Sequence, residues 1–196
     1  MTRAEAAAIF ARLLAEKNGD TISTAANTKF ADIPAHAWYS GYVKYLSNNG
    51  ITYGKSKTIF APNDAITRAE FTTMAVRFFD VYGDGDAEIM EQFSGFNDVS
   101  SGYWAAEYIK YAALHGWING YGDGSFHADR EINRAEVVTI VNRLLGREAD
   151  EDYIADNLRK LNTFPDVTKR HWAYYAVMEA ANAHTAVLGE SESWSK

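Results

Sequence analysis

The chain has 196 residues, 47% of them hydrophobic and 14% aromatic, with 19 basic against 26 acidic side chains and a net charge of −7. That balance disfavours a phosphate-backbone partner, so no nucleic acid is expected. The lack of cysteine excludes disulfides, thiolate nucleophiles and cysteine zinc sites, and no apolar run reaches the roughly 18 residues of a membrane span.

The first element opens with Thr2-Arg3-Ala4-Glu5. Thr-x-x-Glu is a capping box, and Ala6, Ile9, Phe10, Leu13 and Leu14 follow at the spacing of a one-faced helix of about four turns. The apolar stretch Ala6 to Ala15 is read as a folded helix and not as a signal peptide, because Glu5 and Arg12 interrupt it and it recurs twice downstream. After an acidic spacer, Lys17 to Lys29, comes Phe30-x-Asp32 with Trp38 eight residues beyond the Phe. A second helix through Tyr42, Val43, Tyr45 and Leu46 should stop at Gly50. A turn-rich hinge, Gly50 to Phe60, then leads to Thr67-Arg68-Ala69-Glu70 and the next capped helix, with Phe71, Met74, Ala75, Phe78 and Phe79 on its apolar face.

The cycle repeats. Spacer Gly83 to Gly95 precedes Phe96-x-Asp98, Trp104, a helix through Tyr108, Ile109, Tyr111 and Ala112, the stop Gly116 and the hinge Gly116 to Phe126. Asn133-Arg134-Ala135-Glu136 caps the third such helix (Val137, Ile140, Val141, Leu144, Leu145). Within the last spacer, Gly146 to Thr163, residues 148–161 could form an extra surface helix. Phe164-x-Asp166, Trp172 and a final helix follow, with His184 where the glycine stop is expected, so this helix must end differently and its hinge is read as missing. The motif arginines lie 65 and 66 residues apart, and Asp32 to Arg68 and Asp98 to Arg134 both span 36. A period of this kind means one supersecondary unit copied and packed on itself.

Phe-x-Asp-Val, Trp, Gly-Ile or Gly-Trp, Gly-Tyr-Gly-Asp-Gly-Ser-Phe and Ile-Thr-Arg-Ala-Glu, in this order, resemble the S-layer homology (SLH) module; residues 96 to 145 are the nearest match. The resemblance implies an all-α fold, a pseudo-threefold spindle of three helix-loop-helix modules around a central bundle. Residues 1–29 would be the capped-helix half of module 1, 30–95 module 2, 96–163 module 3, and 164–196 a Trp-helix half closing the ring with module 1. It implies a secreted protein of the bacterial cell surface, held to the wall without catalysis or cofactor. The ligand would be a pyruvylated secondary cell-wall polysaccharide bound in grooves between modules, with Arg3, Arg68 and Arg134 at the acidic group. Any self-assembly is expected through regions outside this segment. Lys55-Ser56-Lys57 replaces Gly-Asp-Gly in one hinge, so at least one groove is expected to be altered or silent.

Each arginine occupies the first helical position, where side chains are expected to point toward solvent beside free N–H groups, a fit for a carboxylate. Glu5, Glu70 and Glu136 are read as caps, and the second recurring arginine, Arg12, Arg77 and Arg143, as a salt bridge or a cap on carbonyls. For Trp38, Trp104 and Trp172 a core anchor and a sugar platform both remain open. Tyr53 and Tyr121 should reach a ligand, and loop N–H groups at Gly54 and Gly120 should finish the site, although Gly120, Gly122 and Gly124 also suit a tight turn with positive φ. Asp84-Gly85-Asp86 and Asp123-Gly124 hint only weakly at calcium, lacking the ligand series of an EF-hand loop. The five histidines form no i, i+4 metal pair and accompany no apparent serine nucleophile. Two other readings stand beside the polysaccharide: a structural or protein-interaction module, and a binder of a different peptidoglycan-linked ligand such as a cationic polyamine.

Overall fold

The computed structural model describes residues 1–82, 93–187 and 193–195. Among them are seven α-helices: α1 (Arg3–Asn18), α2 (Ser40–Asn48), α3 (Arg68–Tyr82), α4 (Ala106–Leu114), α5 (Arg134–Leu144), α6 (Glu151–Asn157) and α7 (Tyr174–Ala181). A short antiparallel ribbon, β1 (Thr185–Val187) and β2 (Ser193–Ser195), follows them. The fold is all-α apart from this ribbon. Two compact units divide the chain, Met1–Ile132 and Asn133–Lys196.

In residues 1–132 each capped helix packs on the Trp helix that follows it, α1 on α2 and α3 on α4, and α1 also meets α3. The expected capping boxes form: Thr2 Oγ1 accepts from Glu5 N–H and Glu5 from Thr2 N–H, and Thr67 and Glu70 do the same. The helices are more enclosed than a one-faced pattern implies. Arg68, Ala69 and the unbroken run Phe71 to Val76 are buried in α3, because this helix has neighbours on several sides. Phe10, Phe71 and Phe78, all fully buried, meet at ring distances of 5.2 and 5.0 Å from Phe10.

The glycine stops behave as expected. Gly50 and Gly116 take φ of +73° and +68°, and the following N–H groups, Ile51 and Trp117, reach back to Leu46 and Ala112 carbonyls at 2.9 Å. Less foreseeable is how the helix starts are closed. The N–H groups of Arg3 and Ala4 bond the carbonyls of Asp64 and Pro62, and those of Arg68 and Ala69 bond Arg130 and Ala128. With the capping boxes, the tail of the next hinge satisfies the first turn of each of these helices.

The recurring Phe-x-Asp is the clamp that holds the hinge. Phe30 packs on Phe60 at 5.5 Å and Phe96 on Phe126 at 5.1 Å. Asp32 accepts the N–H groups of Phe60 and Ala61, and Asp98 those of Phe126 and His127, the latter pair at 2.7 Å each. Ala61 and His127 sit at φ of +59° and +55°, a conformation that L residues resist and that the clamp enforces. Burial alone would raise the Asp98 carboxyl; the Phe126 and His127 N–H groups more than offset it, and its pKa is lowered. A depressed native pKa stabilises the fold above the unfolded value of about 3.9 and is lost as pH falls through the folded value. Asp98→Asn should therefore flatten the acid limb of a pH–stability curve below about pH 4, read by urea unfolding at a series of pH values. An acid limb as steep as that of the wild type would contradict the clamp.

In residues 133–196, α5 packs on α7. Asn133 and Glu136 form the third capping box. The spacer does contain a helix, α6, whose Ile154 joins Tyr174, Met178 and Trp194 in a local core. With no glycine to stop it, α7 ends at Asn182, whose side-chain amide donates to the Met178 carbonyl at 2.9 Å. Phe60, Phe126 and Trp194 each stand 28 residues after a motif aspartate, and Trp194 occupies the ribbon. Its N–H goes to Asp150 at 3.0 Å instead of Asp166, which is exposed together with Phe164. The Asp84-Gly85-Asp86 run and most of the Gly83 to Gly95 spacer lie outside the described residues.

Candidate functional site

A groove of about 80 Å³ in residues 1–132 is lined by four stretches of the chain. The hinge supplies Tyr53 and Gly54, α1 supplies Arg3, α3 supplies Glu70, Thr73 and Arg77, and the turn before α4 supplies Trp104. This brings four sequence-predicted residues together: Arg3, Tyr53, Gly54 and Trp104. The volume suits a substituent more than a whole sugar ring, which would rest on the rim, where Trp104 and Tyr53 are 56% and 55% exposed. Gly54 has φ of +80°, and a Cβ there would stand 2.5 Å from both the Phe30 ring and the Ile59 carbonyl, so the close approach requires glycine.

The arginines are not where a first helical position implies. Arg3 and Arg68 are 4% and 5% exposed. Arg3 Nε donates to the Phe60 carbonyl at 2.8 Å, its Nη1 meets Glu70 at 3.0 Å, and its guanidinium lies over the Phe60 ring. Arg68 repeats this on the next hinge, with Nε on the Phe126 carbonyl at 2.8 Å and Nη2 on the Asn119 carbonyl. Both side chains fold back onto a hinge, and the helix N–H groups beside them are already bonded. The expected solvent-facing carboxylate fork therefore does not form at these two positions. Arg134, in the other unit, is exposed. Glu70 also proves to be more than a cap, since it is the carboxylate opposite Arg3; Lys55 lies 3.9 Å from it and 3.3 Å from Asp64.

Tyr121 covers Arg68, 5.2 Å from ring centre to guanidinium, and accepts a hydrogen bond from Arg130 at 2.6 Å. Gly120 lies against the Phe96 ring, and a Cβ there would stand 2.6 Å from the Ser125 carbonyl, so close packing is its reason; Gly124, at φ of +80°, is the turn glycine. Trp38 and Trp172 are exposed like Trp104, and Trp38 meets Tyr39 and Tyr42 edge-on. None of the three tryptophans is a core anchor. In the first two copies the second arginine of the repeat bonds a phenol: Arg12 reaches Tyr42 OH and Arg77 reaches Tyr108 OH.

A wider cleft of about 480 Å³ is lined by Asp98, Tyr103, His127, Ala128, Asp129 and Arg130. Its polar groups answer one another. Tyr103 donates to Asp129 at 2.6 Å, and burial, then that carboxylate, push the phenol up to about 12. One juxtaposition escaped the sequence: Ser125 Oγ lies 3.0 Å from His127 Nε2, with His127 Nδ1 3.7 Å from Asp98. The serine is buried and gives its proton to Asp123 at 2.6 Å, so the imidazole donates to the hydroxyl and does not activate it. Asp123 Oδ1 accepts the Ser125 N–H as well, at 3.0 Å. Among the described residues no three acidic or histidine side chains gather as a metal site.

The model of the S-layer homology domain matches residues 29–72 and 95–138, the two spans that carry a complete Phe-x-Asp, Trp, hinge and capped-helix start. The chain belongs to the S-layer homology family. Similar SLH-bearing proteins include Cell surface glycoprotein 1 of Acetivibrio thermocellus, 32% identical over 98% of this chain and 8% of that protein. The Cellulosome-anchoring protein of the same organism is 31% identical over 97% of this chain and 40% of its own length. The Surface-layer 125 kDa protein of Lysinibacillus sphaericus is 32% identical over 74% of this chain and 12% of that protein. This SLH chain thus spans less than half of each.

Within the SLH repeat, sequence reasoning missed Thr73, Met74, Glu70 and Arg77 as groove residues. Arg77 carried a signal, its recurrence nine residues after the motif arginine. Thr73 carried none.

Proposed function

We propose that this SLH chain anchors a longer bacterial surface protein to the cell wall, without catalysis, by binding an acidic polysaccharide whose substituent is a pyruvyl ketal. The reading rests on one observation: in a chain of net charge −7, a substituent-sized groove holds the Arg77 guanidinium, paired with a phenol, under exposed aromatic rings. A carboxylate-bearing group fits such a groove, and Trp104 and Tyr53 offer flat faces to the sugar. A cationic polyamine fits poorly there. Affinity per groove is modest, and retention comes from many grooves along one polymer.

Calorimetric titration with purified wall polysaccharide, native and depyruvylated, tests this. The native polymer should bind more tightly, Trp104→Ala should weaken it roughly 5–10-fold, and putrescine should not compete. Equal binding of both polymers, or competition by putrescine, would move the case to another wall component.

A further inference from the structure

Resting on that groove, we propose that Arg77, and not Arg3, reads the ligand's carboxylate, with the Thr73 hydroxyl beside it. Arg3 is a staple. Its Nε is held by a carbonyl, its charge is answered by Glu70 at 3.0 Å, and it is buried. Lys55 is likewise answered, by Asp64. Arg77 lines the same groove with no carboxylate among the described residues. Its Nε and Nη2 share the Tyr108 hydroxyl at 3.3 and 3.1 Å, and its guanidinium sits 4.7 and 4.9 Å from the Tyr53 and Tyr108 ring centres.

A half-buried guanidinium held between two phenols is preorganised and keeps its charge, because neither a ring nor a hydroxyl neutralises it. Its Nη1 edge is left to bond a planar carboxylate. Thr73 supplies an independent pointer. It stands four residues earlier on α3, on the same helical face, lines the groove, is 3% exposed, and its hydroxyl has no hydrogen-bond partner. A buried hydroxyl without a partner is costly, and an oxygen of the bound ligand would satisfy it. Arg12 makes the same bond to Tyr42 but is exposed, so the arginine–tyrosine pair belongs to the repeat and the groove makes it a site.

The test titrates the 196-residue chain with native and depyruvylated polysaccharide. Arg77→Gln should weaken binding of the native polymer roughly 10–100-fold and abolish the preference for it. Arg77→Lys should restore only part, since an ammonium lacks the fork, and Thr73→Val should cost a smaller factor with no loss of thermal stability. Arg3→Lys should lower the melting temperature, as loss of a staple requires. Undiminished preference in Arg77→Gln would overturn this assignment while leaving the anchoring function intact. Failure of the wild-type chain to distinguish the two polymers would remove both.

Discussion

Arg68→Ala is expected to destabilise residues 1–132 by about 2–4 kcal/mol, although the residue stands at the first position of a helix where a surface arginine would be worth almost nothing. The substitution strips the buried Phe126 carbonyl and the Asn119 carbonyl of a charged donor and removes the guanidinium from the Phe126 and Tyr121 rings. At roughly 3 °C per kcal/mol for a protein of this size, a calorimetric scan should show the transition falling by about 6–12 °C. Arg68→Lys should recover part of the loss through charge, without the two-pronged geometry. A shift of under about 2 °C for alanine would mean that the hinge is held by the aspartate clamp alone.

Phe10→Ala should cost still more, about 3–5 kcal/mol, because it opens a cavity where α1 meets α3. The ring is fully buried and touches both Phe71 and Phe78, so collapse from one side cannot refill the space. Phe10→Leu should cost under about 1.5 kcal/mol. Urea denaturation with an unchanged slope would identify the effect as lost native packing, and equal losses for leucine and alanine would speak against it.

Features set by local chemistry were legible in the sequence. Thr2 with Glu5, Gly50 and Gly116 are short-range devices, and each performs the role its spacing implies. The all-helical fold follows from the same signals. What the sequence could not supply is direction. Arg3 and Arg68 start their helices as read, but the hinge carbonyls that draw them inward come from a distant stretch of chain. The three tryptophans lie two residues before their helices, in a turn that faces them outward, and no count of apolar positions separates that from a core anchor. The ribbon had no local signal: Trp194 stands 28 residues after Asp166, the interval that separates Phe60 and Phe126 from their aspartates, but nothing nearby marks residues 185–187 and 193–195 as strands. Thr73 is one more threonine in a helix until its missing partner is seen.

The hydrogen bonds that close the start of α3 come from Ala128 and Arg130, and those of α1 from Pro62 and Asp64. A cassette cut at the matched span 29–72 would carry the start of α3 without the carbonyls that complete it. Chimeras joined at such a boundary would inherit bare amides and an arginine with nothing to hold. A graft intended to transplant one repeat should therefore run past the helix into the following hinge tail, so that the transplanted segment closes its own first turn. In both α1 and α3 the first turn of the helix leans on the sequence that comes after it.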